Sequence, residues 1–326
     1  MLDTSDQSFP RINRGYAKAF SPNALSLGLV LPLAAHQTSA VPDMSGHIER
    51  AQLADRLGFS AVWLRDVPFN VPSFGDAGQI YDPFVYLGAL ATATHDIALG
   101  VASVILPLRH PAHVAKAAAT ADQLSGGRLL LGIASGDRPE EYPAMNMEFQ
   151  NRGERFRDSV HYIRAMAEDY PSAHTAQGRL SGGIDMLPKP VGGRLPLLIT
   201  GGSQQMPDWV AQNGDGWMTY PRDAVSQGRV VSDYRRRVSE AGEGDKPVMQ
   251  SLYIDLAEDP AAPPRPIHLG FASGTNFLRD YLREIRDLGI NHVALNLRFN
   301  TAPIEDTMAR LADELLPEFH SNRVTQ

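Results

Sequence analysis

Short apolar segments recur along the chain, and most of them are separated by longer segments with the residue spacing of a helix. Eight are strand candidates, at residues 25–31, 61–64, 97–106, 129–134, 195–200, 216–220, 248–256 and 292–297. They are apolar at successive positions rather than at alternate ones, which is typical of parallel strands covered on both faces. Eight β/α units favour a closed barrel over an open sheet. We therefore predict an α/β fold, a single (β/α)8 TIM-type barrel with loop insertions, and keep a doubly wound sheet as the alternative.

The length of 326 residues suits one such barrel, because this fold takes about 250 residues and more when its loops carry insertions. Residues 1–23 precede the first apolar segment, and their polar sequence predicts a loosely structured N-terminal leader. Residues 24–326 are predicted to form the single barrel domain. Between residues 170 and 195, a stretch rich in glycine and proline is predicted to be a loop.

Composition argues against several classes of function. The formal net charge is −7 and the longest basic run is Arg235–Arg237, so we expect no nucleic acid partner. The chain has no cysteine, which excludes disulfides, thiolate nucleophiles and cysteine-bound metals. The pair His110 and His113 has no nearby carboxylate, so no metal site is expected. Neither a membrane span nor a signal peptide is visible, and we expect a cytoplasmic protein without a membrane partner.

In a (β/α)8 barrel the functional residues lie at the carboxyl ends of the strands. The charged residues at the predicted ends include Asp66, Asp137 and Arg222, and no lysine is among them. A hydrolase or an aldolase usually shows a clearer nucleophile, base or Schiff-base lysine. A cofactor that brings its own reactivity would account for the shortage.

The segment Thr200–Gln205 (TGGSQQ) follows a predicted strand and opens a predicted helix. Its glycines let backbone N–H groups approach an anion, so a phosphate would suit this place. The alternative is a tight turn in which Ser203 is only a helix N-cap. Arg152 and Arg155 begin the helix after the fourth strand, and either could reach a phosphate. Their alternative role is ion pairing at the surface with neighbouring acids.

The stretch 81–136 strongly resembles the luciferase-like monooxygenases. It contains a helix ending in A-x-A-T, a strand of G-x-x-x-x-x-L-P type, then HP, a helix ending in DQLSGGR, and finally L-G-I-x-x-G. A second match covers 197–222, with its G-S, W-x-A and G-D-G-W elements, and a third is GINHVALNL at 289–297.

This resemblance implies a barrel that binds FMN or, in one branch of the family, the deazaflavin F420. It places the flavin phosphate at the loop after the fifth strand and at an arginine that follows the fourth. It also implies a cis peptide on the third strand, against the flavin ring. The residues it assigns to the cofactor are Ala102, Ser103, Ser135, Arg152, Arg155, Gly202, Ser203, Gln204 and Met206.

One position departs from the family pattern. Many members end the second strand with Glu-His-His, whereas this chain has Arg65-Asp66-Val67-Pro68 there. Asp66 is therefore the candidate catalytic or substrate-contacting residue. Its alternative role is a structural carboxylate paired with Arg65 or Arg109.

The resemblance implies an FMN-dependent monooxygenase that uses dioxygen on a small organic substrate. A separate flavin reductase is the expected partner, because no G-x-G-x-x-G nicotinamide pattern follows a strand. A homo-oligomer is also expected, since relatives often pair through barrel helices. Two alternatives stay open: an F420-dependent hydride-transfer enzyme, and a flavin-binding barrel without catalysis.

Overall fold

The structure is a computed structural model, and it describes residues 8–242 and 244–320. The strands in this part of the chain are β1 (Ser26–Val30), β2 (Ala61–Leu64), β3 (Ala98–Ile105), β4 (Leu129–Ala134), β5 (Ser172–Thr175), β6 (Gly178–Ser181), β7 (Leu197–Thr200), β8 (Gly216–Thr219), β9 (Val248–Leu256), β10 (Arg265–Ile267), β11 (Gly270–Ser273) and β12 (His292–Asn296). The helices are α1 (Arg14–Ala19), α2 (His47–Leu57), α3 (Pro83–Ala93), α4 (Pro111–Leu124), α5 (Glu141–Ala144), α6 (Arg152–Ala165), α7 (Pro207–Asn213), α8 (Ala224–Glu240), α9 (Thr275–Asp287) and α10 (Ile304–Glu314).

Eight parallel strands close into a barrel. Their order around it is β1, β2, β3, β4, β7, β8, β9, β12, and β12 pairs again with β1. Each of the eight corresponds to one of the apolar segments predicted as strands. The predicted (β/α)8 barrel is confirmed, and the doubly wound alternative is wrong because β8 pairs with β9 and leaves no open edge.

The apolar runs are explained by burial on both faces of the barrel wall. On β1, Leu27 and Leu29 pack outward in the main core beneath the helices, while Val30 packs in a second cluster inside the barrel. Trp63 fills much of that interior, and Gly100 on the neighbouring strand makes room for it. A Cβ at Gly100 would lie 2.2 Å from the Trp63 ring. The interior is therefore a packed core, and space for ligands lies beyond the strand ends.

The described part of the predicted leader is ordered rather than loose. Asn13 accepts a hydrogen bond from the backbone N–H of Tyr16 and caps α1. Tyr16 and Phe20 are buried against the interior cluster, and the Tyr16 hydroxyl donates to the backbone oxygen of Asp215 at 2.6 Å. Helix α1 thus covers one end of the barrel, because its apolar side chains complete the interior core. Residues 1–7 lie outside the described residues.

Two short strand pairs were not expected from the sequence. The stretch 170–195, predicted to be a loop, contains the antiparallel hairpin β5–β6. Strand β11 pairs in parallel with the end of β9, and β10 pairs with β11. The turn between β10 and β11 carries His268 and Leu269 to the rim of the cavity described below.

Candidate active site

A cavity of about 890 Å³ opens at the carboxyl ends of the barrel strands. Its wall includes residues from the ends of all eight barrel strands or from the loops that follow them. The barrel strands contribute small or flexible side chains that leave room above the core, namely Val30, Ala102, Ala134, Met218, Met249 and Ala294. This volume lies in the range of cavities that hold small molecules and cofactors.

The third strand carries the predicted cis peptide. The bond between Ala102 and Ser103 is cis, and both residues line the cavity. The Ser103 hydroxyl is hydrogen-bonded to the Thr200 hydroxyl across the barrel and lies 3.7 Å from the Met218 sulfur. The third, fifth and sixth strands of the barrel are therefore tied together directly below the cavity.

The loop after β7 turns sharply over the cavity. Gly201, Ser203 and Gln204 have φ angles of 54°, 43° and 61°, and all three line the cavity. Ser203 donates its hydroxyl to the backbone oxygen of Thr200 at 2.7 Å. Helix α7 begins only at Pro207, so Ser203 does not cap it and the N-cap alternative is wrong. Left-handed turns of this kind direct successive backbone N–H groups to one side.

Two other residues predicted at this loop are placed differently. Gly202 is not among the residues that line the cavity. Met206 is the N-cap residue of α7 and is 72% exposed, so its side chain points to solvent. Any contribution from these two residues is limited to their backbone.

The two arginines of α6 have different surroundings. Arg152 lines the cavity, stacks over the Phe149 ring at 3.7 Å and donates to the Phe149 backbone oxygen at 2.9 Å. Its Nε is buried and has no hydrogen-bond partner among the described residues. Arg155 instead donates from Nε and Nη2 to the backbone oxygen of Pro107, at 3.3 and 3.2 Å, and is not part of the cavity wall.

Ser135 lies at the end of β4, is buried and lines the cavity. Its backbone oxygen accepts a hydrogen bond from the buried Tyr142 hydroxyl. Burial of Tyr142 raises the pKa of its hydroxyl to about 12, so this group is a hydrogen-bond donor at neutral pH. The contact fixes the backbone of the loop after β4 beside the cavity.

Asp66 forms a buried ion pair. Its side chain is 1% exposed and accepts hydrogen bonds from Nε and Nη2 of Arg109, at 3.0 and 2.8 Å. It also accepts from the backbone N–H of Ile105 at 3.1 Å. Arg109 reaches Asp82 as well, at 2.9 Å. This geometry matches the alternative reading of Asp66 as a structural carboxylate, although Asp66 also lines the cavity.

A second acidic residue in the cavity wall was missed by sequence reasoning. Asp76 is bound by Arg65 at 2.5 Å and by Arg298 at 3.0 Å, with His36 at 3.8 Å. Burial raises the pKa of Asp76, but the nearby His36, the charge of Arg65 and the hydrogen bonds from Arg65 and the Gly78 backbone outweigh this and lower it well below its usual value. The sequence places Arg65 at the end of a predicted strand, where functional residues are expected. Asp76 lies in an irregular loop, and no sequence pattern marks it.

In the described part of the chain, no group of three or more histidine or acidic side chains could hold a metal ion. No helix there is long and apolar enough to cross a membrane.

Comparison with protein families gives a match over residues 26–319 to the model described as luciferase-like monooxygenase. The chain belongs to the luciferase-like monooxygenase family. The expected family resemblance is therefore confirmed, and the match covers all eight barrel strands. One relative in the family is the oxygenase component of a flavin-dependent trigonelline monooxygenase from Acinetobacter baylyi. It is 35% identical over 119 residues, which cover 36% of this chain and 32% of that protein.

Two solved structures share the luciferase-like fold. The coenzyme F420 dependent tetrahydromethanopterin reductase from Methanopyrus kandleri matches with a TM-score of 0.73 and 15% identity, over 91% of this chain and 99% of its own. The oxygenating constituent of 3,6-diketocamphane monooxygenase from Pseudomonas putida, in complex with FMN, matches with a TM-score of 0.70 and 16% identity. This match covers 91% of this chain and 99% of that one. At these identities the likeness shows the fold alone.

Proposed function

We propose that this member of the family is an FMN-dependent monooxygenase that acts with dioxygen on a small organic substrate. The proposal is carried by one observation: Arg152, whose buried Nε has no hydrogen-bond partner among the described residues, lines the same cavity as Gly201, Ser203 and the cis bond after Ala102. A buried guanidinium nitrogen without a partner is costly unless an anion satisfies it.

The residues present fit a flavin phosphate. Arg152 would supply a charge-assisted hydrogen bond, and the turn after β7 would supply backbone N–H groups. Ser135, at the neighbouring strand end, would contact the phosphate or the ribityl chain. The small side chains of Ala102 and Ala134 leave space for a planar ring above the third and fourth strands.

When bound, reduced FMN supplies the electrons with which dioxygen transfers one oxygen atom to the substrate and releases the other as water. The role of the protein is to position the flavin and the substrate and to exclude bulk water from the cavity. Buried apolar residues of the wall, including Val30 and Ile105, would limit the access of water beside them, which favours productive oxygen transfer.

We also propose that a separate reductase delivers the reduced flavin. The sequence has no G-x-G-x-x-G pattern after a strand. The trigonelline relative is named as the oxygenase component of its enzyme, which supports a two-component arrangement. Association into a homo-oligomer through the barrel helices stays a prediction.

The test is the cofactor that co-purifies, identified by its absorbance spectrum and mass, followed by titration of the protein with FMN. We expect FMN to bind, and Arg152→Ala to weaken binding by at least about tenfold, or about 1.4 kcal/mol. Arg236→Ala is the matched control, because Arg236 pairs with Asp233 and Glu240 on the surface of α8. Equal affinities in the two variants would reject the phosphate site.

The alternatives give different results in the same preparation. A protein that binds F420 and not FMN would replace oxygenation by hydride transfer. A protein that binds FMN, but whose reduced flavin reacts with dioxygen at a rate no organic compound alters, would be a flavin-binding barrel without catalysis.

A further inference from the structure

Three arginines converge on one residue of the cavity wall. Arg65 follows β2, Arg138 follows β4 and Arg298 follows β12, and all three line the cavity. Arg65 and Arg298 both bind the same oxygen, Oδ2, of Asp76, at 2.5 and 3.0 Å. Arg138 donates from Nη2 to the backbone oxygen of Asp76 at 3.2 Å. We call these four residues the arginine cluster.

The arginine cluster has more positive than negative charge. Asp76 offsets one of its three guanidinium charges, and Glu141 lies 3.9 Å from Arg138 and offsets another at most. Burial raises the pKa of Glu141. Asp137 also lines the cavity, but it is exposed to solvent, where its field is screened. At least one positive charge therefore faces the cavity without a balancing acid.

Donor nitrogens of the arginine cluster are left without partners. Arg138 has a side chain only 7% exposed, and its Nη1 has no hydrogen bond within the described residues. The Nε of Arg298, whose side chain is 12% exposed, is also buried and unpartnered among those residues. A network that only fixed the loop around Asp76 would be expected to pair its charges and satisfy its donors. The acid nearest to Arg138 Nη1 is Glu141, whose Oε1 lies 3.9 Å away, too far for a hydrogen bond, so the network leaves donor capacity unused.

The arginine cluster is far around the barrel from the proposed phosphate site. In the closed order of strands, β12, β1 and β2 are consecutive, and β7 lies diametrically across from β1. Arg65 and Arg298 therefore stand opposite the turn Gly201–Gln204. Arg138 comes from the loop after β4, but its guanidinium is stacked 4.7 Å over the Phe74 ring, on the side of Asp76.

Aromatic side chains border the arginine cluster. Tyr253 and Phe299 line the cavity with ring centroids 5.3 Å apart, and His268 stands 5.5 Å from Tyr253. The Arg298 guanidinium lies 5.3 Å from the centre of the Phe299 ring, so these rings are close to the arginine cluster. Aromatic faces next to a positive charge suit a planar ring that carries an acid group.

We propose that this side of the cavity is an anion subsite, and that the substrate is a small organic acid whose carboxylate binds to Arg65, Arg138 and Arg298. The inference rests on the proposed function in that it names the substrate class of the same cavity. The carboxylate would accept hydrogen bonds from the guanidinium groups and balance the surplus charge, while its aromatic or planar body packs against Tyr253 and Phe299.

The test is calorimetric titration of the full chain with benzoate, phenylacetate and 3-phenylpropanoate, each beside its neutral primary amide. We expect at least one acid to bind about tenfold or more tighter than its amide, or by about 1.4 kcal/mol. Failure of every acid to bind, or equal binding of acid and amide, would overturn the proposal. This comparison needs no variant and no flavin.

Three variants then locate the site. In Arg65→Gln, Arg138→Gln and Arg298→Gln the preference for acid over amide should fall to within about threefold. Arg236→Gln, which removes a surface arginine that also pairs with two acids, should keep it. Circular dichroism and the unfolding midpoint identify any variant that has not folded. A preference that survives in all the folded variants of the arginine cluster would overturn the assignment.

Repeating the titration with saturating FMN separates this proposal from the proposed function. Acid binding that persists beside bound FMN supports a distinct subsite. Acid binding that FMN abolishes would place the acid in the flavin phosphate site and overturn the subsite. If FMN does not bind at all, the flavin proposal fails, and the acid subsite is judged on the preference for acid over amide alone.

Discussion

His292 is the centre of a buried hydrogen-bonded chain at the start of β12. The Trp63 indole donates to Nε2 of His292 at 2.8 Å, and Nδ1 of His292 lies 2.6 Å from the Ser26 hydroxyl. An indole N–H can only donate, so Nε2 accepts and Nδ1 carries the proton. The Ser26 hydroxyl in turn donates to the backbone oxygen of Ala19 at 2.6 Å. The polar groups of this hydrogen-bonded series are all satisfied only when the imidazole of His292 is neutral.

This neutral histidine predicts a pH dependence of stability. Burial lowers the pKa of His292 to about 3, whereas a histidine in the unfolded chain titrates near about 6.5. Below pH 6.5 the unfolded chain therefore takes up a proton that the folded chain does not. Protonation of His292 in the unfolded chain should therefore lower the free energy of unfolding by about 1.4 kcal/mol for each unit by which the pH is lowered below about 6.5. Urea unfolding at pH 7 and pH 5 measures it.

The variant His292→Gln should be less stable at pH 7 but should lose this part of the pH dependence. His174→Gln is the control, because His174 is exposed on β5 and should leave the dependence unchanged. If the free energy of unfolding depends on pH equally in His292→Gln and in the wild type, His292 is not the group responsible.

Asp66 can be tested as a structural residue. In Asp66→Asn the half-buried Arg109 loses its buried bidentate partner, and we expect the free energy of unfolding to fall by on the order of 3 kcal/mol. Asp82→Asn is the matched control, because Asp82 shares Arg109 but is 42% exposed. An asparagine at position 82 can still cap the start of α3, so this change should lower the free energy of unfolding by less than about 1 kcal/mol. Unchanged stability with lost turnover in Asp66→Asn would instead support the catalytic role.

At the scale of elements, helix α1 is held against the barrel by a close backbone approach. Gly15 donates its N–H to the backbone oxygen of Gly127 at 2.8 Å. A Cβ at Gly15 would lie 2.4 Å from the backbone oxygen of Arg128, which cannot move without distorting the start of β4. Glycine at this position is therefore needed for α1 to pack beneath the strands.

We expect Gly15→Ala to lower the free energy of unfolding by about 1–3 kcal/mol, as overpacking usually does. Gly88→Ala is the control, since a Cβ at Gly88 meets nothing within 4 Å on α3. It should raise stability by about 0.5–1 kcal/mol, because alanine restricts the unfolded chain and favours helix. Urea unfolding compares the two, and a neutral Gly15→Ala would mean that α1 can shift away from the barrel.

For the whole molecule, the proposed cofactor should be linked to global stability. A ligand that binds only the folded state adds about 2.7 kcal/mol at a free concentration of a hundred times its dissociation constant. FMN bridging the turn after β7 and Arg152 on α6 should therefore raise the unfolding midpoint. Arg152→Ala should show a smaller rise at the same FMN concentration. Scanning calorimetry measures both, and an unfolding midpoint insensitive to FMN would count against the flavin site.

The sequence by itself determined the wall of the barrel. Strands buried on both faces must be apolar at successive positions, and that local rule located all eight without any knowledge of their partners. Family motifs then pointed to the cis bond after Ala102 and to the turn around Ser203. Helix α1 was missed because the residues around it are polar, and Tyr16 and Phe20 become important only once the barrel is present to receive them.

Only the tertiary structure decided which side chains share the cavity. Arg152 and Arg155 lie three positions apart on α6, and their different orientations follow from packing against Phe149 and Pro107. Asp76 gained its importance because its own loop and the loops after β4 and β12, which are distant in sequence, bring arginines to it. Contacts of this kind depend on how strand ends meet around the barrel, and local residue spacing carries no record of that arrangement.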